Sequence, residues 1–214
     1  MRLRRSFVAL GVFAALVGHA YEVGAQEPPP IPFFVVDLQG TTVSFPSDPS
    51  LAASRGLAQG ELPGRGFGAN AAVHVFPFKF RAVTFGFGGR LMISQATQTP
   101  EPVPGLRTVT ERLTYLGPQI SLNFGTGAGW SYLSGGIAAS TWSVVPEGQA
   151  PLPPDEERLQ TIDYGGGARW FAKPHLAFSL DVRFYAVNPS TPALGLPGAP
   201  RNTFFVFGAG ISLK

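Results

Sequence analysis

The stretch LAFSLDVRFYAV, residues 176–187, decides the fold. Leu176, Phe178, Leu180, Val182 and Phe184 alternate with Ser179, Asp181, Arg183 and Tyr185. A period of two belongs to a β-strand with one apolar and one polar face. Working outward, the segment FFVFGAGISLK at 204–214 repeats the pattern, with Phe205, Phe207, Ala209, Ile211 and Leu213 on one face. Upstream, Leu159–Phe171 sets Ile162, Tyr164, Ala168 and Trp170 against Asp163, Gly165, Gly167 and Arg169.

Five more segments follow the same rule. They are Phe33–Val43, Phe67–Phe76, Arg81–Ser94, Thr108–Phe124 and Trp130–Val144. The fourth has an ambiguous register around Leu113 and Tyr115, where a β-bulge is expected. The fifth is rich in Ser, Gly and Ala and only weakly marked. No convincing run has helical period.

The connections are more informative than any single strand. In order they are long (44–66), short (77–80), long (95–107), short (125–129), long (145–158), short (172–175) and long (188–202). Transmembrane barrels sort their connections in this way, with short periplasmic turns and longer external loops. The expected fold is therefore all-β: an eight-stranded antiparallel up-and-down transmembrane β-barrel, with both ends of the chain on the periplasmic side.

The first residues fit export. Met1–Arg5 is basic and Ser6–Gly18 is apolar, which is too short for a spanning helix and right for a signal peptide. Small residues allow cleavage after Ala20 or after Ala25. The expected organisation is a signal peptide over 1–25 (alternatively ending at 20), an arm over 26–32 and a barrel over 33–214. Cysteine is absent, which excludes disulfides, thiolate metal sites and a lipidated N-terminal Cys. Removing residues 1–25 takes away Arg2, Arg4, Arg5 and Glu22 and leaves a formal charge of +1, so no nucleic-acid partner is expected.

Three features turn the apolar faces toward lipid and away from a soluble core. Those faces carry no charge, whereas the opposite faces carry Asp37, Arg90, Asp163, Arg169, Asp181 and Arg183. Aromatic residues gather at the expected periplasmic ends (Phe76, Phe78, Phe124, Trp130, Trp170 and Phe171), where an interfacial belt belongs. Lysine occurs only in short turns and at the C-terminus, at Lys79, Lys173 and Lys214. A soluble, lipocalin-like barrel would need a charged exterior.

The segments GGGARWF (165–171) and LAFSLDVRFYAV resemble the penultimate hairpin of the OmpA/OmpX-like small outer-membrane barrels, and the C-terminal strand resembles theirs too. In that family the last strand is read by the barrel-assembly machinery, although here Lys214 replaces the usual final aromatic. The resemblance implies an outer-membrane protein of the Gram-negative envelope, partnered by membrane lipid. It implies no cofactor, and the residues name no partner for the loops.

An eight-stranded barrel is only wide enough for side chains to fill it. The three Arg and three Asp therefore read as a structural polar network, in which a tight turn at 172–175 would set Asp163 opposite or diagonal to Arg183. A narrow pore for ions or small solutes is the alternative. An enzyme is not expected, nor is a metal site. Gly66-x-Gly68-x-x-Ala71 lacks the strand-then-helix context of a dinucleotide site. His175 and Ser179 lie ~13 Å apart along a strand and make no nucleophile–base pair. Asp155-Glu156-Glu157 reads as a solvated loop tip, with weak Ca²⁺ or cationic-partner binding as the sharper reading. A structural and surface-interaction protein acting through four long loops is the first expectation. A lipid-modifying envelope enzyme is the least supported.

Overall fold

The computed structural model describes residues 28–98 and 106–214. The expected signal peptide lies outside the described residues, as does the middle of the second long connection. Eight strands follow in order: β1 Phe34–Ser44, β2 Arg65–Phe80, β3 Val83–Gln98, β4 Val109–Thr126, β5 Gly129–Pro146, β6 Leu159–Lys173, β7 Leu176–Val187 and β8 Asn202–Leu213. Each pairs antiparallel with the next, and β1 pairs with β8, so the sheet closes into a barrel. Closure leaves no free strand edge. Two-residue turns at Arg81-Ala82, Gly127-Ala128 and Pro174-His175 lie at one end, and the long connections lie at the other. Two connections carry short helices, α1 Pro49–Ala53 in the first and α2 Pro153–Glu156 in the third.

The exterior carries a band of large apolar side chains. Leu116 and Ile120 on β4, Leu133 and Ile137 on β5 and Phe178 on β7 are each 60–66% exposed. Leu91, Ile93, Phe87, Leu180 and Phe205 continue the band around the wall. Water would disfavour such a surface, since ordinary soluble proteins expose only small apolar patches.

The interior is filled in three tiers. Nearest the short turns, Phe76, Trp130 and Tyr132 pack with Val35, joined by Ile31 and Phe171. The middle tier is polar and holds Asp37, Arg90, Asp163, Arg169, Asp181 and Arg183. Toward the long loops lies an apolar core of Val43, Met92, Leu113, Trp142, Val187 and Phe204. The helix α1 folds into this upper tier and buries Leu51 completely. Burying one such leucine contributes about 1.5–3 kcal/mol. Asp48 caps α1 by accepting the Leu51 N–H at 2.8 Å.

Two expectations are corrected here. Phe76 and Trp130 do not belong to an external belt, because they are 6% and 3% exposed and pack edge to face inside the barrel mouth. Phe78 and Trp170, at 50% and 53%, do face outward. A register shift between Val75 and Phe78 separates Phe76 from Phe78 on β2. The bulge expected near Leu113 and Tyr115 is absent, and β4 pairs with β3 in one unbroken register. Leu113 and Tyr115 point inward because the upper lumen is apolar and takes side chains that a polar interior would reject.

Candidate functional site: lumen and loop cap

All six charged residues expected in the lumen are buried there, and they form two clusters. The first joins β1 to β6 across the barrel. Arg169 donates Nε to Asp37 Oδ1 at 2.8 Å and Nη2 to Oδ2 at 2.6 Å, a two-point fork. Ser212 donates its hydroxyl to the same carboxylate. The guanidinium of Arg169 lies 4.1 Å from the Tyr132 ring centroid, so an aromatic face holds it from one side.

The second cluster centres on Arg183. Its Nη1 donates to Asp163 Oδ2 at 2.7 Å, and its Nε donates to Asp181 Oδ1 at 3.1 Å. Asp181 also accepts from both terminal nitrogens of Arg90, at 3.3 and 3.4 Å, and from the Tyr132 hydroxyl at 2.7 Å. Asp163 accepts from Gln119 Nε2 and from the Tyr115 hydroxyl. In the β6–β7 register Gly165 faces Arg183 and Asp163 faces Tyr185, so Arg183 reaches Asp163 on the diagonal.

Glycine makes the room. A Cβ on Gly165 would strike the Val182 carbonyl and come within 2.8 Å of Arg183 Cα. A Cβ on Gly136 would strike the Pro118 carbonyl and reach 2.8 Å from Asp163 Oδ1. Breaking a buried ion pair from one side costs about 3–5 kcal/mol, because the remaining charge stays buried alone. Here each charge meets an opposite one, so the network holds together only when complete.

Sequence reasoning missed the neutral members of this network, Tyr115, Gln119, Tyr132 and Ser134. Their signal was present, since all four share the inward parity of β4 or β5. It missed the loop cap entirely. Arg55, just beyond α1, donates Nε to Asp155 Oδ1 at 3.0 Å, and both side chains are buried. Asp155 also accepts the N–H groups of Val144 and Leu152. The expected solvated tip is therefore corrected: Asp155 is 3% exposed and clasps the first connection to the third. Glu157 is engaged as well, accepting from Thr191 N and Oγ1 at 2.8 and 2.9 Å, and Glu156 stays exposed.

A second clasp joins the first connection to Arg107, two residues before β4. Glu61 accepts the Ala58 N–H at 2.6 Å, the Arg107 N–H at 2.8 Å and Arg107 Nε at 3.1 Å. Burial alone would raise the Glu61 carboxyl, but these donors outweigh it and hold the group below its ordinary value. Under the cap, Trp142 Nε1 donates to Glu111 Oε1 at 2.7 Å.

The opposite mouth is closed from below. The Pro29 carbonyl accepts the Gly127 N–H, and Ile31 packs against the lower aromatic tier. Lys214 donates to the Gly127 carbonyl and lies 3.9 Å from the Phe171 ring centroid. His175 meets the Lys214 carbonyl at 3.1 Å and Ser179 accepts from Gln39, so the histidine and the serine have separate partners. Gly66 and Gly68 lie within β2, against the backbone of β3.

No protein-family model matches the chain, and no curated relative is significantly similar to it. Solved structures do match its fold. Neisserial surface protein A aligns over 86% of this chain and 97% of its own, with a TM-score of 0.55 and 12% identity. Ail, the attachment invasion locus protein of Yersinia pestis, solved with the heparin analogue sucrose octasulfate, aligns over 84% and 97%, with a TM-score of 0.48 and 11% identity. The N-terminal β-barrel domain of Pseudomonas aeruginosa OprF aligns over 85% and 96%, with a TM-score of 0.42 and 11% identity. The chain thus has the fold of the small eight-stranded outer-membrane barrels.

Proposed function

We propose that this protein is an outer-membrane barrel that acts as a closed anchor for its external loops. The observation that carries the reading is the filled interior. An aromatic tier, a charge-balanced network and an apolar core follow one another along the axis, and α1 is folded into the last. A conduit would need a continuous polar path through that stack. The apolar exterior band and the shared fold support placement in the outer membrane, and the basic, then apolar, first residues support export by a cleaved leader. The amphipathic β8 suits reading by the barrel-assembly machinery. No residue is assigned a catalytic role, and the long loops, rich in Pro and Gly, are the surface offered to partners.

The test is electrical. Full-length mature protein, refolded and inserted into planar bilayers, is expected to give no unitary conductance steps over many insertions. Reproducible steps from folded, monodisperse protein would overturn the anchor reading in favour of a narrow pore. Cell fractionation provides the check on placement, with the protein expected in the outer-membrane fraction and its heat-modifiable gel mobility intact.

A further inference from the structure

The outer wall at the long-loop end holds a groove of about 700 Å³ between β3, β4 and β5. Thr97, Thr110, Arg112, Ser143, Glu147 and Gln149 line it. We propose that this groove binds the phosphorylated sugar headgroup of an outer-leaflet glycolipid, with Arg112 as the phosphate ligand. The inference rests on the outer-membrane reading above and names the lipid class that the wall recognises.

Height is the first support. Below Arg112 on the same outward face come Thr114, with Ile93 opposite it on β3, and then Leu116, which is 66% exposed and has Leu91 opposite it. Four residues of strand span ~13 Å, or roughly 10 Å of height at the usual barrel tilt. The groove therefore sits just above the apolar band, where headgroups lie.

Chemistry is the second. Arg112 donates Nε to Gln95 Oε1 at 2.9 Å, which fixes the plane of its guanidinium. Neither terminal nitrogen donates to a described residue, so the two-pronged end of the fork faces no competitor there. Two parallel N–H groups match two oxygens of a phosphate. The hydroxyls of Thr97, Thr110 and Ser143, the Gln149 amide and the Glu147 carboxylate are suited to sugar hydroxyls, and a carboxylate in the groove disfavours a ligand that offers only negative charge.

Distribution is the third. All three lysines lie at the short-turn end, whereas Arg65 opens β2 and Arg158 and Arg201 stand one residue before β6 and β8, each exposed at the long-loop end. The field of these arginines favours an anionic leaflet on that side, and the groove at Arg112 supplies selectivity.

The experiment uses the mature full-length chain, folded in detergent micelles and checked by heat-modifiable mobility. Binding is read by native mass spectrometry with a diphosphorylated disaccharide lipid, its dephosphorylated counterpart and phosphatidylglycerol. The wild type is expected to prefer the phosphorylated sugar lipid to both others. Arg112→Gln should weaken that binding about tenfold or more, the loss typical of a charge-assisted fork. Arg112→Lys, which keeps the charge without the fork, should lose an intermediate amount, and Arg158→Gln should lose little. Equal binding of phosphatidylglycerol, an unchanged Arg112→Gln, a wild-type Arg112→Lys or an equal loss in Arg158→Gln would each overturn the proposal. A barrel that is folded and electrically silent but lacks this preference removes the groove and leaves the anchor. A conducting barrel removes the anchor instead.

Discussion

Arg183 and Asp163 meet on the diagonal of the β6–β7 hairpin, guanidinium to carboxylate at 2.7 Å, with neither side chain exposed. The same guanidinium reaches Asp181, so one side chain neutralises two carboxylates in company with Arg90. Arg183→Ala leaves Asp163 with only neutral donors in a closed interior. A loss of about 3–5 kcal/mol is expected. Urea unfolding of the barrel in detergent measures it, and unaltered unfolding would show that the network contributes no stability. Arg183→Met combined with Asp163→Asn should recover part of the loss, since no unpaired charge then remains.

The glycine that clears the wall near Asp163 offers a steric test. Gly136→Ala should destabilise the barrel by about 1–3 kcal/mol, the usual cost of overpacking. Gly60→Ala, at a position with nothing within 4 Å of an added Cβ, should be close to neutral. A pair of unfolding curves suffices, and equal midpoints would contradict the packing described.

Three tryptophans report on the two sides of the wall. Trp170 is 53% exposed on the exterior, whereas Trp130 and Trp142 are 3% and 1% exposed in the lumen. In vesicles of brominated lipid, a protein retaining only Trp170 should be strongly quenched. Proteins retaining only Trp130 or only Trp142 should keep most of their emission. Strong quenching of Trp130 would return that residue to an external belt.

The loop clasps should respond separately from the barrel. Arg55→Ala leaves Asp155 with its two backbone donors but no cation, a loss of about 3 kcal/mol. The first connection should then become sensitive to proteolysis around α1 while the barrel keeps its folded gel mobility. Protection equal to the wild type would mean that the apolar seat of Leu51 alone holds the plug.

Acid tests the second clasp. The Glu61 carboxyl is held below its ordinary value of 4.5, so its contribution to stability is fully present above that pH. The contribution is lost as pH falls through the lower value in the folded protein. Hydrogen-exchange protection in the 58–62 segment should therefore persist through neutral and mildly acidic pH and drop below it. Glu61→Gln should abolish that step, and a variant with the wild-type profile would place the transition elsewhere.

The wall was legible where its two faces differ. In β7 the outward positions Leu176, Phe178, Leu180, Val182 and Phe184 are all apolar and the inward Ser179, Asp181 and Arg183 are polar, so alternation alone gives register and orientation. The six lumen charges were legible for the same reason. In β4 and β5 the inward face changes character midway, from Gln119, Ser121 and Ser134 to Leu113, Tyr115, Trp142 and Val144. Both faces are then apolar at one end, and the contrast that marks a strand disappears. Aromatics at strand ends suit a lipid interface or a plugged mouth equally, which is why Phe76 and Trp130 misled. The clasp between Arg55 and Asp155 joins residues a hundred positions apart through two irregular connections, and no local pattern encodes it.

The antiparallel seam between β1 and β8 has a consequence for how the molecule is made. Asp37 on the first strand takes one partner from β6 and another from β8, and Gln39 takes one from β7. The Ser212 contact needs β8 in place, and the other two need β1 brought round against the far wall. A growing, open sheet therefore presents its interior charges to water, and only the arrival of the final strand shuts them in together. At that seam, sealing the wall and enclosing the charges coincide.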